Sequence, residues 1–115
     1  MPAFGDILER EQIDDVAEYV LSFAGEAEDP EAAARGQQVF LDNCASCHGE
    51  QGEGVADMGA PRLNDAIWLY GGAKEQVVAQ IRQPKHGVMP AWIDRLDPTT
   101  IKMLAVYVHS LGGGQ

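Results

Sequence analysis

The sequence predicts an all-α protein: three main helices joined by long loops, with a further helix in front. Three observations predict it. Apolar residues recur at helical spacing in two stretches. These are Ile13, Val16, Ala17, Val20 and Phe23, and again Ile101, Leu104, Ala105, Val108 and Leu111. Asp-Pro stands twice where a helix would start, at Asp29-Pro30 and at Asp97-Pro98. Asp caps free N–H groups and Pro fits the first helical turn. Finally, no run alternates apolar and polar residues with β-branched enrichment, so no strand is expected.

The front helix comes first, on the stripe from Ile13 to Phe23. It is half of an internal repeat. Residues 1–25 and 89–113 align without a gap and are identical at eleven of 25 positions, beginning with Met-Pro-Ala in both. The chain therefore reads as the tail of one domain, residues 1–28, followed by a complete second copy, residues 29–115. The small, acidic segment Gly25-Glu-Ala-Glu-Asp29 is the linker. The stripe of the front helix, residues 10–24, lacks the domain it was made for. It is expected to pack on its own domain or to associate with a neighbouring chain.

The next helix is expected from Asp29-Pro30 to about Asn43. A Gly-rich loop follows, with Gly49, Gly52, Gly54 and Gly59. Ala73 to Gln83 reads as a helix with Val77, Val78 and Ile81 on one face, and Pro84 ends it. The last helix runs from Asp97-Pro98 to a C-cap at Gly112.

The 115 residues suit one small domain with an extension. Such a chain buries a modest core, so a large apolar cofactor would help it. No apolar run approaches the roughly 18 residues of a membrane span. No secretory signal is evident either, so a mature piece or fragment is expected if the protein works outside the cytoplasm. A net charge of −10 argues against a nucleic-acid partner. Residues 1–31 carry −9 of it. They read as a solvated helix and linker, or as a docking surface for a basic partner.

The chemistry sits in Cys44-Ala-Ser-Cys47-His48. C-x-x-C-H is the attachment sequence for c-type haem. Two thiols three residues apart on a helical turn can reach the two vinyl groups along one side of a porphyrin, and the adjacent His then aims a nitrogen at the iron. A thioredoxin-type redox pair needs a βαβ pattern, which is missing. Zinc would find three ligands and no second C-x-x-C or H-x-x-x-H to complete the site.

A single axial His leaves iron open to O₂ or peroxide chemistry, whereas a second strong ligand closes it for electron transfer. The candidates are Met58, Met89, Met103, His86 and His109. Met89 is best placed, in an irregular segment after Pro84 and Gly87 and stiffened by Pro90. His86 is second. His/Met ligation raises the reduction potential relative to bis-His, so a positive potential is expected.

These residues resemble the class I cytochrome c family over about residues 30 to 112. Gly36-x-x-x-Phe40-x-x-x-Cys44 is similar to its first helix, and Leu104-x-x-Tyr107-Val108 to its last, which crosses the first near a small residue such as Gly36. Ala60-Pro61-Arg62-Leu63 resembles the loop whose Pro carbonyl accepts a hydrogen bond from the proximal His. Pro61 is otherwise a plain turn residue. Trp68 and Tyr70 either wall the haem or are ordinary core aromatics.

A closer resemblance is to the diheme cytochrome c subunit of cbb3-type cytochrome c oxidases. The tandem repeat carries it, with Gly-Val-Met-Pro-Ala-Trp at 87–92 and the ending from Leu104. It implies two haem domains in tandem behind a membrane anchor on the periplasmic side of the inner membrane. Electrons would pass from a donor cytochrome c towards the subunit that reduces O₂. The resemblance implies one covalent haem c on Cys44, Cys47, His48 and Met89 here, an electron-transfer piece rather than an enzyme, and the other subunits of a terminal oxidase as partners. Two rivals remain: a cytochrome domain of another periplasmic oxidoreductase, and a haem enzyme or gas sensor with an open sixth position.

Overall fold

The computed structural model describes residues 1–112. Among them are five α-helices: α1 (Arg10–Ser22), α2 (Pro30–Asn43), α3 (Ala45–His48), α4 (Lys74–Arg82) and α5 (Pro98–Ser110). Short 3-10 turns cover Phe4–Asp6 and Ala56–Met58. The described residues contain no strand, only an isolated bridge between Val55 and Ala60. The fold is all-α, as the sequence predicts.

The helix ends follow local chemistry. The Asp29 carboxylate accepts from the amides of Glu31 and Ala32 at 3.1 and 3.0 Å, with Pro30 in the first turn. Asp97 accepts from the Thr100 amide at 2.9 Å and from its hydroxyl at 2.7 Å. Those hydrogen bonds hold the Asp97 carboxyl below its ordinary range. The Ala73 amide that opens α4 donates to Gln76 Oε1 at 3.1 Å.

By packing, the residues fall into two compact units, Met1–Lys85 and a second beginning at His86. The first is built on α1, which lies on α2 and α4. Ile13, Val16, Ala17, Val20 and Leu21 of α1 join Phe4, Phe40, Val77 and Ile81 in one buried cluster. Tyr19, Phe23 and Phe40 form an aromatic triad with centroids 5.0 to 5.5 Å apart. Each such pair adds about 0.5–1.5 kcal/mol beyond the area it buries. The stripe of the front helix thus packs on its own chain.

Gly36 is what lets α1 and α2 close. A Cβ there would collide with the Asp15 carbonyl oxygen and come within 2.9 Å of the Val16 Cα. Both obstacles are backbone, so no rotamer change relieves them. Gly36→Val is expected to cost about 1–3 kcal/mol by overpacking, seen as a lower urea midpoint. An unchanged midpoint would show that the two backbones are free to part.

At Gly36 the structure places α1, the repeat copy of the helix that the resemblance expected there. The aligned pairs explain why α1 fits. Val16, Tyr19 and Val20 stand where Leu104, Tyr107 and Val108 stand in α5, so either helix offers the same apolar face.

Charges fix α1 from both sides. Arg35 reaches Asp15 with two bonds, Nε to Oδ2 at 2.9 Å and Nη2 to Oδ1 at 2.7 Å. Glu18 is 1 % exposed. Lys74 Nζ lies 2.7 Å from its Oε1. The amides of Glu28 and Asp29 donate to its Oε2 at 3.0 and 3.2 Å. Burial alone would raise the Glu18 pKa, but Lys74 and the two amides outweigh it and hold the carboxyl below its ordinary value.

A carboxyl lowered by folding contributes stability above its unfolded pKa. That contribution is lost as pH falls through the folded value. The urea midpoint is therefore expected to drop below about pH 4.3, the ordinary Glu value, more steeply in the wild type than in Glu18→Gln. Parallel curves would remove Glu18 from the account.

The second unit is irregular from His86 to Ala91. It then turns at Trp92, whose carbonyl accepts from the Arg95 and Leu96 amides at 2.9 and 2.8 Å. The Arg95 guanidinium lies 5.3 Å from the Trp92 ring centroid. Helix α5 follows and closes at Gly112, whose amide donates to the His109 carbonyl. Leu104, Val106, Tyr107 and Val108 of α5 are exposed.

Candidate haem-binding site

The attachment motif hangs from the end of α2. Phe40, fully buried, anchors that end in the core. The Cys44 amide donates to the Phe40 carbonyl at 2.8 Å. The Cys44 carbonyl in turn accepts from Cys47 and His48 at 3.1 and 3.0 Å. Cys44 to His48 is therefore one tight helical turn, which α3 completes. Gly49, at φ +81°, ends it and sends the chain into the loop.

The loop returns to the same turn. The Gly54 amide donates to the His48 carbonyl at 2.7 Å, and Leu63 to the Gly52 carbonyl at 2.7 Å. Arg62 Nε and Asn64 Nδ2 bond the carbonyls of Glu53 and Gln51 at 3.2 and 3.1 Å. Gly54 has φ +79°, and a Cβ there would crowd the backbone of Ala60, Pro61 and Arg62 at 3.0 to 3.1 Å. A glycine is required for that close approach.

The approach brings the Pro61 carbonyl oxygen to 3.0 Å from His48 Nδ1. A carbonyl only accepts, so Nδ1 carries the proton and donates. The lone pair is then on Nε2, free for a metal. The bond also fixes the ring's orientation and raises its basicity.

Cys44 and Cys47 are unpaired thiols, each partly buried. Burial first, and Cys47 second, push the Cys44 thiol up to about 11. It is thus a protonated, poorly nucleophilic thiol near neutrality, unlike the low-pKa cysteine of a redox pair. Among the described residues no group of three or more His, Cys, Asp or Glu is placed to hold one metal ion. Cys44, Cys47 and His48 therefore do not converge on a point, as zinc chelation requires. Two free thiols three residues apart on one helical turn, beside an imidazole with Nε2 unprotonated, are a donor set that fits covalent haem.

Apolar side chains stand around Trp68. Trp68 is half-buried against the core cluster, and a Cβ at Gly72 would meet its indole at 2.5 Å. Its neighbours Ile67 and Leu69 are 81 and 85 % exposed. They are large apolar side chains exposed next to each other in sequence.

The first unit thus gathers Cys44, Cys47, His48 and Pro61, with Trp68 against its core. Met89 is not in that group: it lies in the irregular start of the second unit and is 80 % exposed. Met58 and Met103 are exposed too, as are His86 and His109. Sequence reasoning missed the ion-paired residues Asp15, Glu18, Arg35 and Lys74. The available signal was that Asp15 and Glu18 stand in α1 where the repeat copy has Met103 and Val106.

Comparison with known proteins identifies the family. A family model described as cytochrome c oxidase, cbb3-type, subunit III matches residues 31–108. The cbb3-type cytochrome c oxidase subunit FixP of Sinorhizobium medicae is 55 % identical over 115 residues, all of this chain and 40 % of the relative. FixP of Azorhizobium caulinodans is 54 % identical over 116 positions, again with 100 % and 40 % covered. The subunit CcoP of Cereibacter sphaeroides is 50 % identical over 117, with the same coverage. The chain spans about two fifths of the length of these relatives. No described helix is long and apolar enough to cross a membrane.

Proposed function

The chain belongs to the cbb3-type cytochrome c oxidase subunit III family, and on that premise we propose that it holds one covalent haem c and relays single electrons. The observation that carries this is the Cys44–His48 turn with the Pro61 carbonyl 3.0 Å from His48 Nδ1. Cys44 and Cys47 would hold the haem by thioethers, His48 through Nε2 and Met89 through its sulfur would ligate the iron, and Trp68 would add apolar contact. When bound, the haem iron supplies the one-electron couple.

The chain's own residues set how that couple works. Pro61 orients His48 and strengthens its donation. A Met89 thioether as second ligand would favour the ferrous state and raise the potential. No side chain of the site performs bond chemistry, so this piece moves electrons and is not itself an enzyme.

In the longer protein, residues 1–28 are the end of a preceding haem domain and residues 29–115 the complete one that follows. The whole would stand on the periplasmic side of the inner membrane, held by an anchor. It would take electrons from a donor cytochrome c and pass them to the oxidase's catalytic subunit. The relatives' names as oxidase subunits support this reading.

The test is a haem-stained denaturing gel of the chain expressed with haem-attachment machinery. Stain migrating with the 12.4 kDa chain is expected, since only covalent haem survives denaturation. Absence of stain beside a stained control cytochrome sinks the reading.

A further inference from the structure

Helix α4 closes on itself before the chain leaves it. The Gln83 amide donates to the Ala79 carbonyl at 2.9 Å, and Ile81 anchors this end in the core. Pro84 then has no N–H to donate, and it holds Gln83 outside the helical region, at φ −144°. Beyond the proline, helix bonding can no longer serve the amide and carbonyl of Lys85.

Gln80 serves both. Its Oε1 accepts from the Lys85 amide at 3.1 Å, and its Nε2 donates to the Lys85 carbonyl at 3.2 Å. A side-chain amide offers a donor and an acceptor side by side, the same pair that a neighbouring strand offers. These two bonds do nothing for the helix, whose end the Gln83 amide has already closed. They hold a residue five positions on, past the proline.

Lys85 is the last residue of the first unit, and Met89 follows four residues later. We propose that Gln80 is a positioning residue for Met89: by pairing both backbone groups of Lys85, it clamps the root of the segment that carries the ligand. This rests on the ligation of the iron by Met89 proposed above. On that reading the segment closes a loop from the end of α4 to the iron. Without the clamp the free segment is residues 83–89, seven in all; with it, residues 86–89, four in all. Loop-closure entropy grows with the logarithm of loop length, so the clamped segment closes about twofold more readily.

The test is a competition on the ferric holoprotein. Added imidazole competes with Met89 for the iron, so its apparent affinity reports how firmly the thioether is held. Gln80→Ala is expected to bind imidazole about twofold more tightly than the wild type. Alanine is the better helix former, so the change does not weaken α4. In the Met89→Ala background the same change is expected to have no effect, because no ligand is left to position. Amide exchange at Lys85, followed by NMR in the ferrous holoprotein, is expected to be about fivefold faster in Gln80→Ala. Should Gln80→Ala not accumulate as folded protein, Gln80→Glu keeps the shape and loses the donor, and is expected to shift imidazole affinity in the same direction. If the weak far-red absorption of a Met–iron bond survives Met89→Ala, Met89 is not the ligand and the proposal falls with that reading. If the absorption is lost in Met89→Ala but imidazole affinity ignores residue 80, the proposal alone is overturned. Equal tightening in both backgrounds overturns it too, as a general loosening, and so does a Lys85 amide that exchanges equally fast in wild type and Gln80→Ala.

Discussion

Cys44→Ala with Cys47→Ala is expected to abolish haem stain on a denaturing gel completely, while each single variant keeps a stained band. The asymmetry follows from the turn. The backbone bonds from Cys44 O to the amides of Cys47 and His48 do not involve either thiol. Removing both sulfurs therefore leaves α3 and the His48–Pro61 bond in place. What goes is only the covalent hold, and one thioether suffices for that. The double variant is also expected to lose its haem to a competing haem-binding protein under native conditions, since an unfastened ring leans on a modest core. A thioredoxin-like pair would behave differently: either single change would destroy its dithiol chemistry. Stain persisting in the double variant would mean that the haem is held elsewhere.

What was legible in the sequence was local. Asp29-Pro30 and Asp97-Pro98 start helices because caps act within one turn. The Cys44–His48 turn was legible for the same reason, as its bonds span three and four residues. The bond between His48 and Pro61 was available only through resemblance: thirteen residues separate them, and Gly54 must fold the loop back first. The partner of Gly36 was not legible, because α1 and the last helix carry copies of one apolar face. Glu18 shows why the charges gave no warning. A lone carboxylate reads as solvated surface, yet it is buried here because Lys74, Glu28 and Asp29 arrive from distant parts of the chain to satisfy it.

Met89→Ala is expected to have the other large effect: loss of the weak far-red band of the ferric protein, conversion from low to high spin, and a lower reduction potential. The reason is ligand strength. With His48 alone the iron is five-coordinate or takes water, and both are weak fields; a neutral thioether is what favours the ferrous state. The comparison variant is Met1→Ala. Met1 opens the same Met-Pro-Ala sequence and precedes the helix seated at Gly36. It therefore belongs to the same unit as His48, whereas Met89 belongs to the other. If the far-red band survives in Met1→Ala and vanishes in Met89→Ala, the ligand is the complete copy's own. The reverse pattern would mean that the Met-Pro-Ala segment ahead of the helix seated at Gly36 brings the iron's ligand with it. Loss of the low-spin form in His86→Ala alone would exclude both methionines. Four spectra, those of the wild type and the three variants, therefore decide which residue of the repeat ligates the iron.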